Sequence, residues 1–149
     1  MDNSPLGLTR LSMSLILAAV CASVVSGAGL ALVSLGMGQL LLGFWNDALL
    51  FSFLSLVPAG LIALAATFPA YFLVRPGLQP SAFAVVATGA AIGALPYGMM
   101  MLIGAATGAY VAWASLVAGM GVHIIAGAVG AGAFFCAYRG IARNVGQGS

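Results

Sequence analysis

Four long apolar stretches, separated by short polar segments, dominate this chain. They run from Leu11 to about Gly36, from Ala48 to Val74, from Ser81 to Gly104 and from Ala109 to Tyr138, and none contains a formal charge. Each reaches the roughly 20 residues that a helix needs to cross the hydrocarbon core of a bilayer. Because backbone N–H and C=O groups in lipid must be satisfied within their own segment, these stretches predict helices. We expect an all-α integral membrane four-helix bundle.

The connecting segments are too short to form a separate domain. They comprise residues 43–47, 75–80 and 105–108, and a polar tail of residues 139–149 ends the chain. We therefore treat residues 1–149 as one transmembrane domain with helices at about 11–36, 48–74, 81–104 and 109–138. Short connections predict that helices adjacent in sequence pack as antiparallel neighbours. Asp47 lies in the first connection, where we expect it to be solvated.

The charged side chains predict the orientation. There are six, with no lysine and no glutamate: Asp2, Arg10, Asp47, Arg75, Arg139 and Arg143. With four spans, all the arginines fall on one side of the membrane, and the positive-inside rule places that side, with both termini, in the cytoplasm. Charged residues make up 4% of the chain, against roughly a quarter in soluble domains. The lysine-free, Ala/Gly-rich composition is associated with a bacterial source, so we expect a multi-pass protein of a bacterial inner membrane.

A tandem repeat of two helical hairpins is one interpretation of an internal similarity. At an offset of 60 residues, eight pairs coincide: Gly29/Gly89, Ala31/Ala91, Leu35/Leu95, Gly38/Gly98, Leu42/Leu102, Ser55/Ser115, Leu56/Leu116 and Val57/Val117. Parallel repeats of this kind occur in some transporters. The alternative is that helices rich in Ala, Leu and Gly coincide by chance, since the arginines align only after a further shift of four residues.

Small residues recur every four positions in all four predicted helices. The rows are Ala18, Ala22 and Ser26 in the first, Ala59, Ala63 and Thr67 in the second, Gly89 and Gly93 in the third, and Ser115, Gly119, Gly127 and Ala131 in the fourth. Four-residue spacing places each row on one helix face, where two backbones can approach closely. The rows predict tight helix packing, either within the bundle or against another membrane protein or a second copy of this chain.

His123 lies in the row of the fourth helix and is the one histidine of the chain. Ionisable residues inside a membrane are costly and often functional. Three interpretations are open. Neutral His123 hydrogen-bonds a serine, threonine or carbonyl of a neighbouring helix; or it is the axial ligand of a haem or chlorophyll, with Gly119 leaving room for the ring; or it belongs to a proton or solute path.

The pair Gly119 and His123 resembles the small-xxx-His ligand site of bacterial light-harvesting helices, over five residues. The resemblance implies a haem or (bacterio)chlorophyll held by His123. Those polypeptides have a single span, so the remainder of this chain departs from them. A haem with two histidine ligands would need its second histidine from another subunit. Nothing else in the sequence requires a cofactor.

The chemistry of enzymes has little support in this sequence. It offers no carboxylate pair for acid–base catalysis, no glycine-rich phosphate loop, and too few ligands for a metal cluster, because Cys21 and Cys136 lie within separate spans. It also has no basic stripe for nucleic acid. We expect a non-catalytic accessory, scaffold or assembly subunit that packs against a larger membrane complex. The alternatives are a haem- or chlorophyll-binding subunit and a small homo-oligomeric channel or transporter for a neutral solute.

Overall fold

The computed structural model describes residues 5–73, 81–108 and 113–146, and these form four helices. They are α1 (Pro5–Gly36), α2 (Phe44–Leu73), α3 (Ala82–Thr107) and α4 (Trp113–Gly146). Each contains a segment long and apolar enough to cross a membrane. The predicted all-α, multi-pass membrane fold is therefore confirmed. The predictions for Asp2, Arg75 and the segment 75–80 fall outside the described residues.

Four helix ends differ from those predicted. α2 begins at Phe44, within the predicted connection of residues 43–47. α3 continues past Gly104 to Thr107 and ends at Gly108, whose φ of 63° is the left-handed cap conformation that glycine adopts readily. The predicted tail after residue 138 is helical to Gly146, because arginine is a good helix former and its charge is favourable near a helix C-terminus. α1 begins at Pro5, since proline fits the first turn of a helix.

The packing order of the helices differs from their order in the sequence. α1 packs against α2, α1 against α4, and α3 against α4. The order across the molecule is therefore α2–α1–α4–α3, with α1 and α4 in the centre. Over the described residues, α2 and α3 form no comparable packed pair. Over this part of the chain, the expectation that all helices adjacent in sequence pack together does not hold for α2 and α3, and the described helices leave that side open.

This order does not display the tandem repeat. A repeat of two hairpins would make α1 equivalent to α3 and α2 equivalent to α4. In the structure α1 contacts two helices and is central, whereas α3 contacts α4 and lies at an edge. The helices that the repeat would relate therefore hold different positions.

The glycines of α3 bring its backbone against that of α4. A Cβ atom on Gly93 would overlap the carbonyl oxygen of His123, and one on Gly127 would overlap the carbonyl oxygen of Gly89. This is the close approach that small residues at four-residue spacing permit in membrane helices. The glycine face of α3 is therefore packed against α4.

The small residues of α1 face α4 in the same way. A Cβ on Gly130 would lie 3.0 Å from the Ala18 carbonyl oxygen and 3.1 Å from the Ala22 Cβ. Ala131 also faces α3, next to Gly89. Ser115 differs, because it is exposed and its hydroxyl lies 4.0 Å from the Met37 sulfur. Of the predicted packing residues, Gly89, Gly93, Gly127 and Ala131 thus contact one another between α3 and α4. Ala18 and Ala22 contact Gly130 of α4 instead.

Asp47 is fully buried, so the expectation that it is solvated is wrong. Its carboxylate accepts hydrogen bonds from the Leu41 N–H (2.8 Å) and the Leu42 N–H (3.0 Å). These two amides lie between α1 and α2 and have no helical partner of their own. A carboxylate in the first turn of α2 satisfies them and is also favoured by the positive end of the helix dipole. Asp47 therefore fixes the first loop.

Ser14 on α1 is a buried polar residue whose substitution tests how an unpaired hydroxyl affects stability. It is fully buried, and its hydroxyl has no hydrogen-bond partner among the described residues. Because an unsatisfied buried hydroxyl is destabilising, we expect Ser14→Ala to leave the free energy of unfolding unchanged or to raise it by about 1 kcal/mol. Unfolding by SDS titration from mild detergent micelles measures this. A loss above about 1 kcal/mol would show that the hydroxyl is bonded in the membrane.

Candidate functional site

The open side between α2 and α3 leads into a cleft that lies among the four helices. Its volume is about 270 Å³, and residues from all four helices line it. Tyr97 and His123 lie at one end, and Val85 and Phe134 at the other. Val85 and Tyr97 are twelve residues apart on α3, which corresponds to about 18 Å of helix. The cleft thus runs from His123 toward the end where α1 begins and α4 ends, which we call the arginine end because Arg10 and Arg139 lie there.

The lining of the cleft is mostly apolar. Its apolar residues are largely small or branched: Ala18, Ala19, Ala22, Ala59, Ala63, Ala126, Ala131, Ile62, Ile92, Pro58 and Pro96. Polar side chains come from six lining residues: Ser23, Ser26, Ser55, Thr88, Tyr97 and His123. A largely apolar cavity with a few placed polar groups is typical of small-molecule sites.

The polar end is organised by a chain of hydrogen bonds. His123 Nδ1 lies 2.9 Å from the Gly119 carbonyl oxygen, and Nε2 lies 3.2 Å from the Ser26 hydroxyl. The Ser26 and Ser55 hydroxyls are 3.2 Å apart. Because a carbonyl can only accept, Nδ1 carries the hydrogen of the neutral ring, and Nε2 accepts from Ser26. Ser26 has one hydrogen, so Ser55 donates to Ser26.

This chain joins three helices, since Ser55 belongs to α2, Ser26 to α1 and His123 to α4. The hydrogen bond from Ser26 is of the kind that the first interpretation of His123 expects. Ser55 was not singled out from the sequence, where it is one of several serines in apolar stretches. Only the pairing of α1 with α2 brings it to Ser26.

Tyr97 of α3 closes the polar end. Its ring centroid lies 4.8 Å from that of His123, with 45° between the planes. A Cβ on Gly119 would lie 2.6 Å from the Tyr97 Cε1 atom. The space beside Gly119 that the cofactor interpretation assigns to a macrocycle is therefore filled by Tyr97. With both ring nitrogens of His123 engaged, a haem or chlorophyll there would require Tyr97 and Ser26 to move.

The described helices bring no other metal-ligating side chains to the cleft. Among their residues no three His, Cys, Asp or Glu side chains cluster. Cys21 and Cys136 are free thiols, and Cys136 is exposed on the outer surface of α4. The polar chemistry of the site is therefore that of hydroxyls, one phenol and one imidazole.

No family model matches this chain, and no curated protein or solved structure shows significant similarity to it. Its function therefore has to be argued from the chemistry of its own residues.

Proposed function

We propose that this protein is a non-catalytic accessory protein that resides in a membrane, in keeping with a bacterial inner membrane. We further propose that its cleft holds an apolar molecule taken from the bilayer. The cleft carries this proposal: about 270 Å³ of space, lined by all four helices and next to a side where α2 and α3 are not packed together. Lipids and lipid-soluble molecules reach such an opening by lateral diffusion.

The dimensions of the cleft favour a small molecule over a protein segment. A transmembrane helix with its side chains is about 10–12 Å across. A cleft of about 270 Å³ that is elongated along the helices is too narrow to hold it. Ligand pockets begin at about 300 Å³, and an apolar cavity of about 150 Å³ already binds benzene. A single apolar chain or a flat ring fits this range.

The contact between Ser26 and His123 has the arrangement of a nucleophile and its base, with Gly119 orienting the imidazole. A hydrolase also needs donors aimed at the oxygen that becomes negative in the transition state. Ser26 lies within α1, where the backbone N–H groups are used by the helix, and the neighbouring hydroxyl of Ser55 donates to Ser26 itself. Among the described residues, the Tyr97 phenol is the one hydroxyl donor left near Ser26, and we therefore propose a binding role in preference to catalysis.

Packing against a larger membrane complex is a second role that the edge helices favour. Over the described residues, α2 has α1 as its one main neighbour, and α3 has α4. The outer face of α2 presents exposed apolar side chains, among them Phe53, Val57, Leu61 and Leu64. Lipid can cover this face, and so can a helix of a partner or of a second copy. A channel or transporter for a neutral solute would require several copies to enclose a path.

Filling the cleft should release its ligand. We expect the protein purified from membranes in mild detergent to carry about one small apolar molecule per chain, detected by native mass spectrometry. Ala59→Leu adds three carbon atoms to the cleft wall and should reduce the bound fraction at least tenfold. Ala65→Leu makes the same change on the exposed face of α2 and should leave the bound fraction unchanged.

Two results would contradict the proposal. One is a chain that carries no small molecule before substitution, and the other is equal retention in the two variants. The melting temperature of each variant, measured in the same detergent, shows whether a loss of ligand reflects a loss of fold.

A further inference from the structure

We infer that the cleft selects a single-chain amphiphile whose head is a neutral hydroxyl group, with that hydroxyl donating to Ser55 and the chain directed toward the arginine end. This inference rests on the proposed function and adds the chemical class and orientation of the ligand.

The hydrogens of Ser55, Ser26 and His123 at the polar end are already used in hydrogen bonds. Once Gly119 has fixed the tautomer of His123, Ser26 donates to the imidazole and Ser55 donates to Ser26. A hydroxyl has one hydrogen but two lone pairs. The Ser55 oxygen therefore retains the capacity to accept hydrogen bonds, whereas its hydrogen is engaged. Ser26 and Ser55 are only 3% and 8% exposed, so their spare lone pairs are largely shielded from competing water.

The two other hydroxyls that line the cleft follow the same rule. Ser23 donates to the Val20 carbonyl at 2.8 Å, and Thr88 donates to the Ala84 carbonyl at 2.8 Å. Both oxygens keep lone pairs, and neither has a hydrogen left for a ligand. Among the described lining residues, only the Tyr97 phenol keeps a free hydrogen, and its oxygen lies beside Gly119.

Two prolines each free a backbone acceptor, one of which belongs to a residue that lines the cleft. Pro58 of α2 and Pro96 of α3 both line the cleft. Proline has no N–H, so the carbonyl four residues earlier lacks its usual donor. These carbonyls belong to Leu54 and Ile92, and Ile92 itself lines the cleft. Because polar backbone groups in lipid need a partner, a ligand that donates is favoured over one that only accepts.

The head must also be neutral. No Asp, Glu, Lys or Arg is among the described residues that line the cleft, so a charged head would lose its hydration without gaining a counter-ion. An alcohol is the simplest neutral donor that a membrane-soluble chain carries. An ester, ether or ketone head brings only acceptors to a site that already has them in excess.

The polar groups also give the ligand a direction. The chain of Ser55, Ser26 and His123 marks one end, and the cleft continues for about 18 Å of helix toward the arginine end. That length slightly exceeds half of the roughly 30 Å hydrocarbon core. An apolar tail whose length equals the thickness of one leaflet, with its hydroxyl at the serines, matches the length of the cleft and its apolar lining.

The test compares two probes that differ in one hydrogen-bond donor. The protein, reconstituted in dioleoyl phosphatidylcholine vesicles, is photolabelled with hexadecanol that carries a diazirine in mid-chain, or with the methyl ether of the same molecule. Labelled residues are mapped by mass spectrometry. We expect the alcohol to label the cleft residues Ile62 and Ile92 about three- to tenfold more than the ether, the effect of one hydrogen bond. Ser55→Ala should bring the alcohol down to the level of the ether.

Ser115→Ala removes an exposed hydroxyl that does not line the cleft and should change neither probe. Equal cleft labelling by alcohol and ether, abolished in both cases by Ala59→Leu, would overturn the inference and leave the proposed function standing. Labelling that Ala59→Leu does not reduce would overturn both. Since the two probes are compared on the unchanged protein, the result does not depend on whether Ser55→Ala folds.

Discussion

Replacing Asp47 by alanine is expected to lower the free energy of unfolding by about 3 kcal/mol. The carboxylate is fully buried and accepts from the amides of Leu41 and Leu42, and a hydrogen bond to a charged group contributes about 1.5–3 kcal/mol. Its removal leaves both amides without a partner and withdraws a negative charge from the first turn of α2. Unfolding by SDS titration from mild detergent micelles measures the loss.

Asn46→Ala is the matched control, because Asn46 is the preceding residue and is exposed, donating one hydrogen bond to the Leu42 carbonyl at 3.1 Å. It should cost less than about 1 kcal/mol. Asp47→Asn keeps one accepting oxygen and should fall between the two. A loss for Asp47→Ala no larger than that for Asn46→Ala would show that the loop does not depend on the carboxylate.

Gly93→Ala is expected to destabilise the fold by about 2–3 kcal/mol, although it adds a single methyl group. That methyl would overlap the carbonyl oxygen of His123, and a backbone atom cannot turn aside as a flexible side chain can. α3 and α4 would have to separate next to the backbone of His123, and overpacking of this kind costs about 1–3 kcal/mol. The same SDS titration gives the free-energy change.

Gly98 lies on the same helix, and a Cβ there would meet nothing within 4 Å. Gly98→Ala should therefore be neutral or stabilising by up to about 1 kcal/mol, since alanine favours the helix. The opposite ranking of the two variants would contradict the close packing of α3 on α4.

The four helices follow from the sequence because each apolar stretch satisfies its own backbone in lipid. Their arrangement does not follow, because short connections limit which helices can touch without deciding which faces match. The glycines at 89 and 93 fit α4, and that fit leaves α2 and α3 apart. The expectation for Asp47 is wrong for a related reason. Its position next to a loop predicted contact with water, whereas its carboxylate is buried by hydrogen-bonding the unpaired amides of that loop.

The candidate site was only partly predictable. His123 and Gly119 stood out because an ionisable residue and a row of small residues are visible in one helix. Ser55 and Tyr97 did not, since their significance depends on α2 and α3 being placed around α1 and α4. The cleft itself cannot be predicted from a residue pattern, because it forms where, over the described residues, α2 and α3 are not packed together.

The hydrogen-bond chain from Ser55 through Ser26 to His123 has a polarity that a single proton can reverse. If the imidazole gained a proton on Nε2, it would donate to Ser26 and Ser26 would donate to Ser55, so that the hydrogen of Ser55 would turn toward the cleft. No helix would need to move. The same three side chains would then present a hydrogen-bond donor to the cleft in place of an acceptor. A molecule lying between α2 and α3 would therefore meet a different hydrogen-bonding group in each charge state of His123.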